Sequence, residues 1–513
     1  MDNDSKIIAK GAMFVFAGIV ISKPITYLWR IYIARYIGHD AYGIFSIALA
    51  LLGLINVFAI LGFSSGLFRY TSFYFARKKY ADAKGVLITV FSINSVSCLF
   101  FSCLLVFFAP YFAENFFHNI NTTGPVYVVA FILPFFVFSN HFLALLTVKL
   151  RADYNALIKN VLEGIIKIFA TIALVWLGYS AIAAILGYFI AIFGTFVLSA
   201  YFLFFKTDYG IILKSKAKYH SRNLVNYSIP LMITGFVSGF LTYTDTIMLS
   251  YFKGVSQTGI YNAALPTAQL IAIASCFSVL FFPLFVENYS KKNYKEMNKL
   301  YITTVKWIFL IALPMVFVIM FFPGVILNFL WGAEYVGGTV ALTILAIGYF
   351  VSNVCAPTGG VLKAIEKQNI VLMVTICGSI LNVILNYSLI PVFGMAGAAG
   401  ATATSIVFIY SAYLFFVHKY TGFFPFNVNL LKGFFATLIA FAFTYFAVKL
   451  IFPVTPLFAL VPALGIYSIM YFFIMVKFKV IDKDDLKLLR ALGKKSGLDL
   501  SFLERIVMRM CRI

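Results

Sequence analysis

Acidic residues are scarce in this chain, which has only 18 aspartates and glutamates among its 513 residues. Charged residues of both signs together make up 11% of the sequence, whereas a soluble domain carries about 25%. Since 62% of the residues are hydrophobic, most of the folded surface must face lipid. The acids on the predicted outer loops, Asp40, Glu114 and Glu334, are isolated from one another, so the sequence offers no carboxylate pair there for glycosidase-type or other acid–base catalysis.

Cysteine and histidine are also rare, with six and five residues respectively. No Cys-x-x-Cys or Cys/His spacing typical of a metal site occurs, and no Walker-type phosphate loop is present. We therefore expect no structural disulfide, no metal, no cofactor, and neither an enzyme nor an ATPase. His141 is the clearly intramembrane histidine, and we expect it to be a hydrogen-bonded core residue and not a proton relay.

Long apolar segments are abundant. A membrane-spanning helix needs about 20 mostly apolar residues to cross a hydrocarbon core about 30 Å thick. Fourteen such segments occur, at residues 10–35, 41–66, 86–109, 125–148, 161–178, 181–205, 224–250, 259–286, 300–322, 336–362, 370–390, 396–417, 429–450 and 456–476.

The positive charges alternate with these segments. Of the 40 lysines and arginines, 34 fall in the two terminal tails, in every second gap or in the parts of the segments that adjoin them, and three (Arg35, Lys253 and Lys449) fall on the opposite side. This asymmetry predicts a multi-pass protein of the cell membrane with both termini in the cytoplasm. The net charge of +22 then indicates contact with anionic membrane lipids, and not with nucleic acid.

The chain also repeats itself. Gly38-x4-Gly43 matches Gly254-x4-Gly259 at an offset of 216, and three further matches follow in the same order at offsets of 214 to 216. We expect an all-α integral membrane fold of fourteen transmembrane helices. Helices 1–6 and 7–12 form two pseudo-symmetric six-helix lobes around a central cavity, with helices 13–14 added. The predicted boundaries are 1–222 for the N-lobe, 223–419 for the C-lobe, 420–477 for helices 13–14, and 478–513 for a basic amphipathic tail on the inner leaflet.

A few charges lie within the apolar segments, where an ionised group is costly and normally faces a cavity or a partner. Lys23 and Arg30 are seven residues apart on the first helix, so they lie on nearly one face, about 10 Å apart along the axis. Lys167 follows Glu163 by one turn, which suits ion pairing. Asp245 on the seventh helix corresponds, at the repeat offset, to the residue beside Arg30.

Several of these features together resemble one family of transporters. They are the repeated Gly-x4-Gly-Ile-aromatic element, the basic second inner loop, Asp245 ahead of the second copy, and the fourteen spans. The family is the polysaccharide transporter branch of the multidrug/oligosaccharidyl-lipid/polysaccharide exporter superfamily. The resemblance implies a flippase that moves a polyprenyl-(pyro)phosphate-linked oligosaccharide from the inner to the outer leaflet by alternating access. Implied partners are this glycan substrate, membrane lipids and glycan-assembly enzymes, and the implied state is a monomer.

The intramembrane charges can be given roles on this basis. Lys23, Arg30 and Lys167 are predicted to contact the substrate phosphate, because cations in a wet cavity replace its lost hydration. Asp245 and Glu163 are predicted to serve in coupling to a cation or proton, or in gating. The alternatives are that Lys167 only pairs with Glu163, that Arg30 reaches out to the headgroups, and that Asp245 holds a gate shut. Alternative functions are a MATE-like multidrug/cation antiporter and a polytopic glycosyltransferase.

Overall fold

The structure is a computed structural model that describes residues 3–148, 152–179, 181–207, 209–219, 221–451, 457–478 and 480, with side chains described from Ser22 onward. Within these ranges every regular element is helical. The amphipathic helices predicted for the tail fall at 481–513, outside the described residues.

Sixteen α-helices are described. They are α1 Asn3–Ile60, α2 Phe63–Ala76, α3 Tyr80–Tyr111, α4 Thr123–Val148, α5 Ala152–Asn155, α6 Glu163–Trp176, α7 Ala181–Phe205, α8 Gly210–Lys214, α9 Ser221–Gln269, α10 Cys276–Ser290, α11 Tyr294–Phe321, α12 Pro323–Leu330, α13 Thr339–Ala364, α14 Gln368–Thr421, α15 Val428–Ile451 and α16 Leu457–Lys477. Shorter 3-10 or π-helical stretches run over Phe112–Phe116, Ile120–Thr122, Ala156–Leu162, Leu270–Ser275 and Ala333–Gly338.

Three of these helices bend sharply at a glycine. Gly38 in α1, Gly254 in α9 and Gly394 in α14 have φ of 76°, 81° and 54°, which glycine adopts without steric cost. Helix α14 contains two of the predicted apolar segments, whereas α1 and α9 each contain one and the first part of the next. Nine described helices are long and apolar enough to cross a membrane, so the chain is a multi-pass membrane protein. The total of fourteen crossings stays a prediction.

The backbone repeats with the same period as the sequence. Residues with positive φ recur at offsets of 214 or 216, although left-handed backbone is uncommon, above all outside glycine. The pairs are Gly38 and Gly254, Lys78 and Lys292, His118 and Gly332, and Gly178 and Gly394. In addition, α3 begins at Tyr80 and α11 at Tyr294, 214 residues later. The two halves thus share corners and helix starts as well as residues.

Packing divides the chain into two compact units. Unit 1 consists of Met1–Asn262 with Ile390–Met395, and unit 2 of Ala263–Leu389 with Ala396–Ile513. Helix α9 up to Asn262 therefore packs with the first unit, whereas the sequence repeat begins its second copy near residue 223. The two units are defined by packing, whereas the predicted lobes are defined by the sequence repeat. The units therefore do not test the lobe boundaries, which stay a prediction.

In unit 1 a buried polar network lies beside a break in the helix of the second predicted span, residues 41–66. Leu61 and Gly62, both with positive φ, separate α1 from α2. His141 of α4 is fully buried, and its Nε2 lies 3.1 Å from Asn94 Oδ1 while its Nδ1 lies 3.0 Å from Ser64 Oγ. Asn94 Nδ2 donates to the carbonyl of Ala59 at 2.6 Å, so Asn94 Oδ1 is the acceptor and His141 carries its proton on Nε2. The prediction of a hydrogen-bonded core histidine matches this geometry.

In unit 2 the two helices outside the repeat pack on α11. Tyr471 of α16 donates its hydroxyl to the carbonyl of Leu310 at 2.8 Å, and Leu310 shares an apolar cluster with Phe441 of α15. Lys306 lies in α11 and is 2% exposed. Its ammonium lies 3.4 Å from the carbonyl oxygen of Val480. The charge count grouped Lys306 with the inner loop before its segment, although the predicted span 300–322 contains it; in the structure it lies within α11, twelve residues after the helix begins.

The two copies of the Gly-x4-Gly element touch each other within unit 1. A Cβ added at Gly43 would lie 2.0 Å from the carbonyl oxygen of Val255, and one added at Gly259 would lie 1.9 Å from that of His39. His39 and Val255 are themselves related by the offset of 216. The contact is therefore reciprocal, and both glycines are needed for the backbones to approach so closely.

We predict that Gly43→Ala and Gly259→Ala each destabilise the protein, because the new methyl group meets backbone that cannot turn aside. Overpacking of this kind costs about 1–3 kcal/mol. Thermal unfolding of the detergent-solubilised protein measures it. Gly124→Ala is the matched control, since its Cβ would meet only Ile182 Cδ1 at 3.6 Å. Equal melting temperatures for the three variants would contradict the close approach.

Candidate functional site

Lys23 and Arg30 lie on the straight part of α1 that precedes the bend at Gly38. Lys23 is exposed and Arg30 is half-buried. The Arg30 guanidinium donates a hydrogen bond to the Tyr42 hydroxyl, which in turn donates to the backbone carbonyl of Asn262 at 3.3 Å. Tyr42, which follows the bend, therefore holds the Arg30 guanidinium in place, while part of the Arg30 side chain stays accessible.

Lys167 lies in α6 and is 5% exposed. Its ammonium lies 4.5 Å from the centre of the Trp29 indole and 5.9 Å from the centre of the Tyr188 ring. Both distances are within the reach of a cation–π interaction, which is stronger where water is excluded. Lys167 also interacts electrostatically with Arg30, so two of the three predicted phosphate-binding cations lie close together.

Glu163 makes its salt bridge with Lys159, at 2.9 Å. Glu163 is buried, and it also accepts a weak hydrogen bond from Thr195 at 3.4 Å. The sequence pairs Glu163 with Lys167, one turn after it, whereas the structure forms the ion pair with the lysine one turn before it. Lys167 remains within electrostatic range of Glu163, but its direct contacts are the two aromatic rings.

Trp29, which lies under the Lys167 ammonium, also joins helix α1 to α6. Trp29 donates its Nε1 hydrogen to Thr171 Oγ1 at 2.9 Å, and Thr171 donates to the carbonyl of Lys167 at 2.8 Å. A Cβ at Gly187 would lie 2.2 Å from Thr171 Oγ1, so α7 approaches this point closely. One face of the Trp29 indole thus lies under the Lys167 ammonium, and its N–H is hydrogen-bonded to Thr171, one turn after Lys167.

Asp245 lies in α9 and is 3% exposed. It accepts a hydrogen bond of 2.7 Å from the hydroxyl of Tyr261, in the part of the same helix that follows the bend at Gly254. Next to it, Thr246 and Asn262 also join the two arms of this helix, at 3.2–3.3 Å. Asp245 therefore spans a corner of the backbone, which suits the predicted role in gating.

Sequence analysis missed three residues of this site, namely Lys159, Trp29 and Tyr188. The Lys159-x3-Glu163-x3-Lys167 spacing is a usable signal, because it places two lysines one turn on either side of a single acid. Lys159 was assigned to an inner gap, yet it lies in the π-helical stretch that runs directly into α6. The sequence distinguishes Trp29 only as the repeat counterpart of Asp245, and it does not distinguish Tyr188 from the many packing aromatics.

A groove of about 1130 Å³ between α3 and α4 contains none of these residues. Its walls are almost wholly apolar, with Leu99, Phe107 and Phe131 among them. It lacks the charges that recognition of a phosphate requires. The candidate site is therefore the group of charged and aromatic side chains around Arg30.

Comparison with known proteins adds a family to this geometry. The chain matches the family described as "Polysaccharide biosynthesis protein" over residues 8–289, more than half of its length, and the family MatE over residues 230–388. It is 26% identical over 431 residues to an uncharacterized membrane protein of Methanocaldococcus jannaschii, covering 80% of this chain and 84% of the relative.

Two relatives have names that refer to glycans. The chain is 27% identical over 194 residues to a probable low-salt glycan biosynthesis flippase of Haloferax volcanii, a match that covers 38% of this chain and 41% of the relative. It is 21% identical over 380 residues to a putative O-antigen transporter of Shigella flexneri, covering 72% and 87%.

Solved structures of two transporters share the fold. A lipid II flippase has a TM-score of 0.72 at 18% identity, over 91% of this chain and 98% of that one. A multidrug resistance MATE family transporter has a TM-score of 0.69 at 14% identity, over 80% and 98%. At these identities the likeness is one of fold.

We predict that Glu163→Gln destabilises the protein by about 1–3 kcal/mol, because a charged hydrogen bond at a buried position is lost. In a double-mutant cycle with Lys159→Met, the second substitution should cost less than it does alone, since the pair is already broken. Unfolding midpoints in detergent give both numbers. The exposed pair Lys291–Glu287, also at 2.9 Å, is the control. Glu287→Gln should cost under about 1 kcal/mol, and an equal loss at both sites would contradict the assignment.

Proposed function

Because the chain belongs to the polysaccharide biosynthesis protein family, we propose that it is a flippase for polyprenyl-(pyro)phosphate-linked oligosaccharides. It moves this substrate from the inner to the outer leaflet by alternating access, in the synthesis of a polysaccharide or glycoconjugate. The observation that carries the proposal is the excess of positive charge around Arg30. Lys167 interacts there with two other cations, Arg30 and Lys159, and with one acid, Glu163.

Physical chemistry connects that excess to the substrate. The headgroup of a polyprenyl-linked glycan carries one or two negative charges, and an ionised group without partners in an apolar medium is very costly. A partly exposed arginine can bind two phosphate oxygens at once, and an exposed lysine can add a point charge. Arg30 and Lys23 suit these two roles by their exposure. A binding site for organic cations would need an excess of acids.

Alternating access requires a closure that can open. We assign this role to the reciprocal contact between the Gly38–Gly43 and Gly254–Gly259 elements, for which the charge asymmetry predicts a position on the outer side. Its closest approach is backbone against backbone, and Ser256 Oγ also lies 3.1 Å from His39 Nδ1, so the two elements can close tightly on each other. Asp245 and Tyr261 join the two arms of α9 just inside this contact, and we assign Asp245 a gating or coupling role.

The setting proposed for the protein rests on the charge asymmetry and on the family resemblance. Both termini lie in the cytoplasm, the chain acts as a monomer in the cell membrane, and the enzymes that assemble the glycan supply its substrate. A MATE-like antiporter is the second candidate, which the match to the MatE family over residues 230–388 supports. It is the weaker one, because that match covers less than a third of the chain and the site around Arg30 is positively charged.

The proposal is tested by flipping of a fluorescent polyprenyl-diphosphate oligosaccharide in proteoliposomes. Lys23→Ala/Arg30→Ala should reduce the rate at least about tenfold, because each charge-assisted hydrogen bond contributes about 1.5–3 kcal/mol and 1.4 kcal/mol is a factor of ten. Lys295→Ala/Lys299→Ala removes two exposed cations of α11 and should leave the rate unchanged. Transport of a cationic drug and not of the glycan lipid would favour the antiporter.

Asp245 provides a separate test. Asp245→Asn keeps an oxygen that can accept the Tyr261 hydrogen bond but removes the negative charge. If the charge couples transport to an ion or proton, the variant should flip substrate at a rate that no longer changes with membrane potential or ion gradient. The same proteoliposomes measure this with ionophores added. A wild-type rate that ignores both gradients would eliminate coupling and leave the gating role.

A further inference from the structure

Lys167 is a membrane-buried cation that is held by aromatic rings. Its neighbouring carboxylate, Glu163, forms its salt bridge with Lys159 at 2.9 Å. The Lys167 ammonium lies over the rings of Trp29 and Tyr188 instead. The rings favour a cation without neutralising it, so the positive charge of Lys167 is not cancelled by an ion pair.

The field of this charge reaches the proposed headgroup site. Trp29 precedes Arg30 in the chain, and Arg30 and Lys167 interact electrostatically. Lys167 itself is 5% exposed, so in this arrangement a bound headgroup would meet the partly exposed Arg30 and not the lysine. Lys159 and Glu163 form an ion pair, so their charges cancel. The net charge of these four residues is therefore +2, from Arg30 and Lys167.

We infer that Lys167 is a positioning residue that sets the charge preference of the headgroup site. It acts on the bound phosphate through the field across Trp29, and it favours a substrate joined through a diphosphate over one joined through a single phosphate. The inference rests on the proposed function and deepens it. It differs from the sequence-based prediction, in which Lys167 contacts the phosphate directly.

The test compares two probes, in which one hexose is joined to the same polyprenyl chain through one phosphate or through two. These differ by one negative charge. The measurement is the ratio of their affinities for the full-length protein in nanodiscs. In Lys167→Met the preference for the diphosphate should fall on the order of tenfold, the effect of a unit charge roughly 10 Å away at an effective dielectric constant of about 20. Arg30→Ala should weaken both probes.

A second variant keeps the test decisive if Lys167→Met does not fold. Glu163→Gln adds one net positive charge to the same group and should raise the preference for the diphosphate, the opposite direction. Lys306→Met is the matched control, since it also removes a buried membrane lysine, at 2% exposure in unit 2. Its affinity ratio should equal that of the wild type.

The outcomes separate the inference from the function on which it rests. If the wild type binds both probes and neither Lys167→Met nor Glu163→Gln changes their ratio, the inference is overturned while the flippase proposal stands. If the wild type binds neither probe, the proposed function fails and the inference fails with it. A structural role of Lys167 alone would weaken both probes equally and leave the ratio at its wild-type value.

Discussion

The cost of placing a charge in an apolar medium governs this protein. Each buried ionised group meets that cost in its own way. Lys167 lies over two aromatic rings, Glu163 pairs with Lys159, Asp245 accepts the hydroxyl of Tyr261, and Lys306 reaches the carbonyl of Val480. The first three belong to unit 1, and the bond between Asp245 and Tyr261 spans the bend of α9. Each buried charge that the structure describes thus has a stabilising contact within its own unit.

The glycine corners are the second constraint, and they explain why the duplication can be read in both sequence and backbone. A corner with φ near 80° and ψ near 180° is essentially restricted to glycine, so the same residue recurs in both copies at Gly38 and Gly254. The period extends to Lys78 and Lys292, where no glycine marks it. There the backbone repeats although the pattern of residues alone would not require a left-handed turn.

This difference indicates how much the sequence could predict. Helices, the membrane class and the internal repeat follow from hydropathy, charge and glycine, which act locally. The partner of Glu163 does not, because Lys159 and Lys167 are equally one turn away and only the π-helical stretch Ala156–Leu162 changes the register between them. Lys306 was misplaced for a related reason. The charge count grouped it with the inner gap although the predicted span 300–322 contains it, because a count along the chain does not show whether a lysine near the end of a segment is buried.

Holding a cation with rings has a consequence for an anion site. A carboxylate paired with Lys167 would cancel its charge and repel an approaching phosphate, whereas Trp29 and Tyr188 stabilise the ammonium and leave its field intact. Diverting the one nearby acid to Lys159 has the same effect. The indole also ties α1 to α6 through Thr171. A movement of α1 that carried Arg30 would therefore shift the ring under Lys167, so binding and the bending of this helix share one contact.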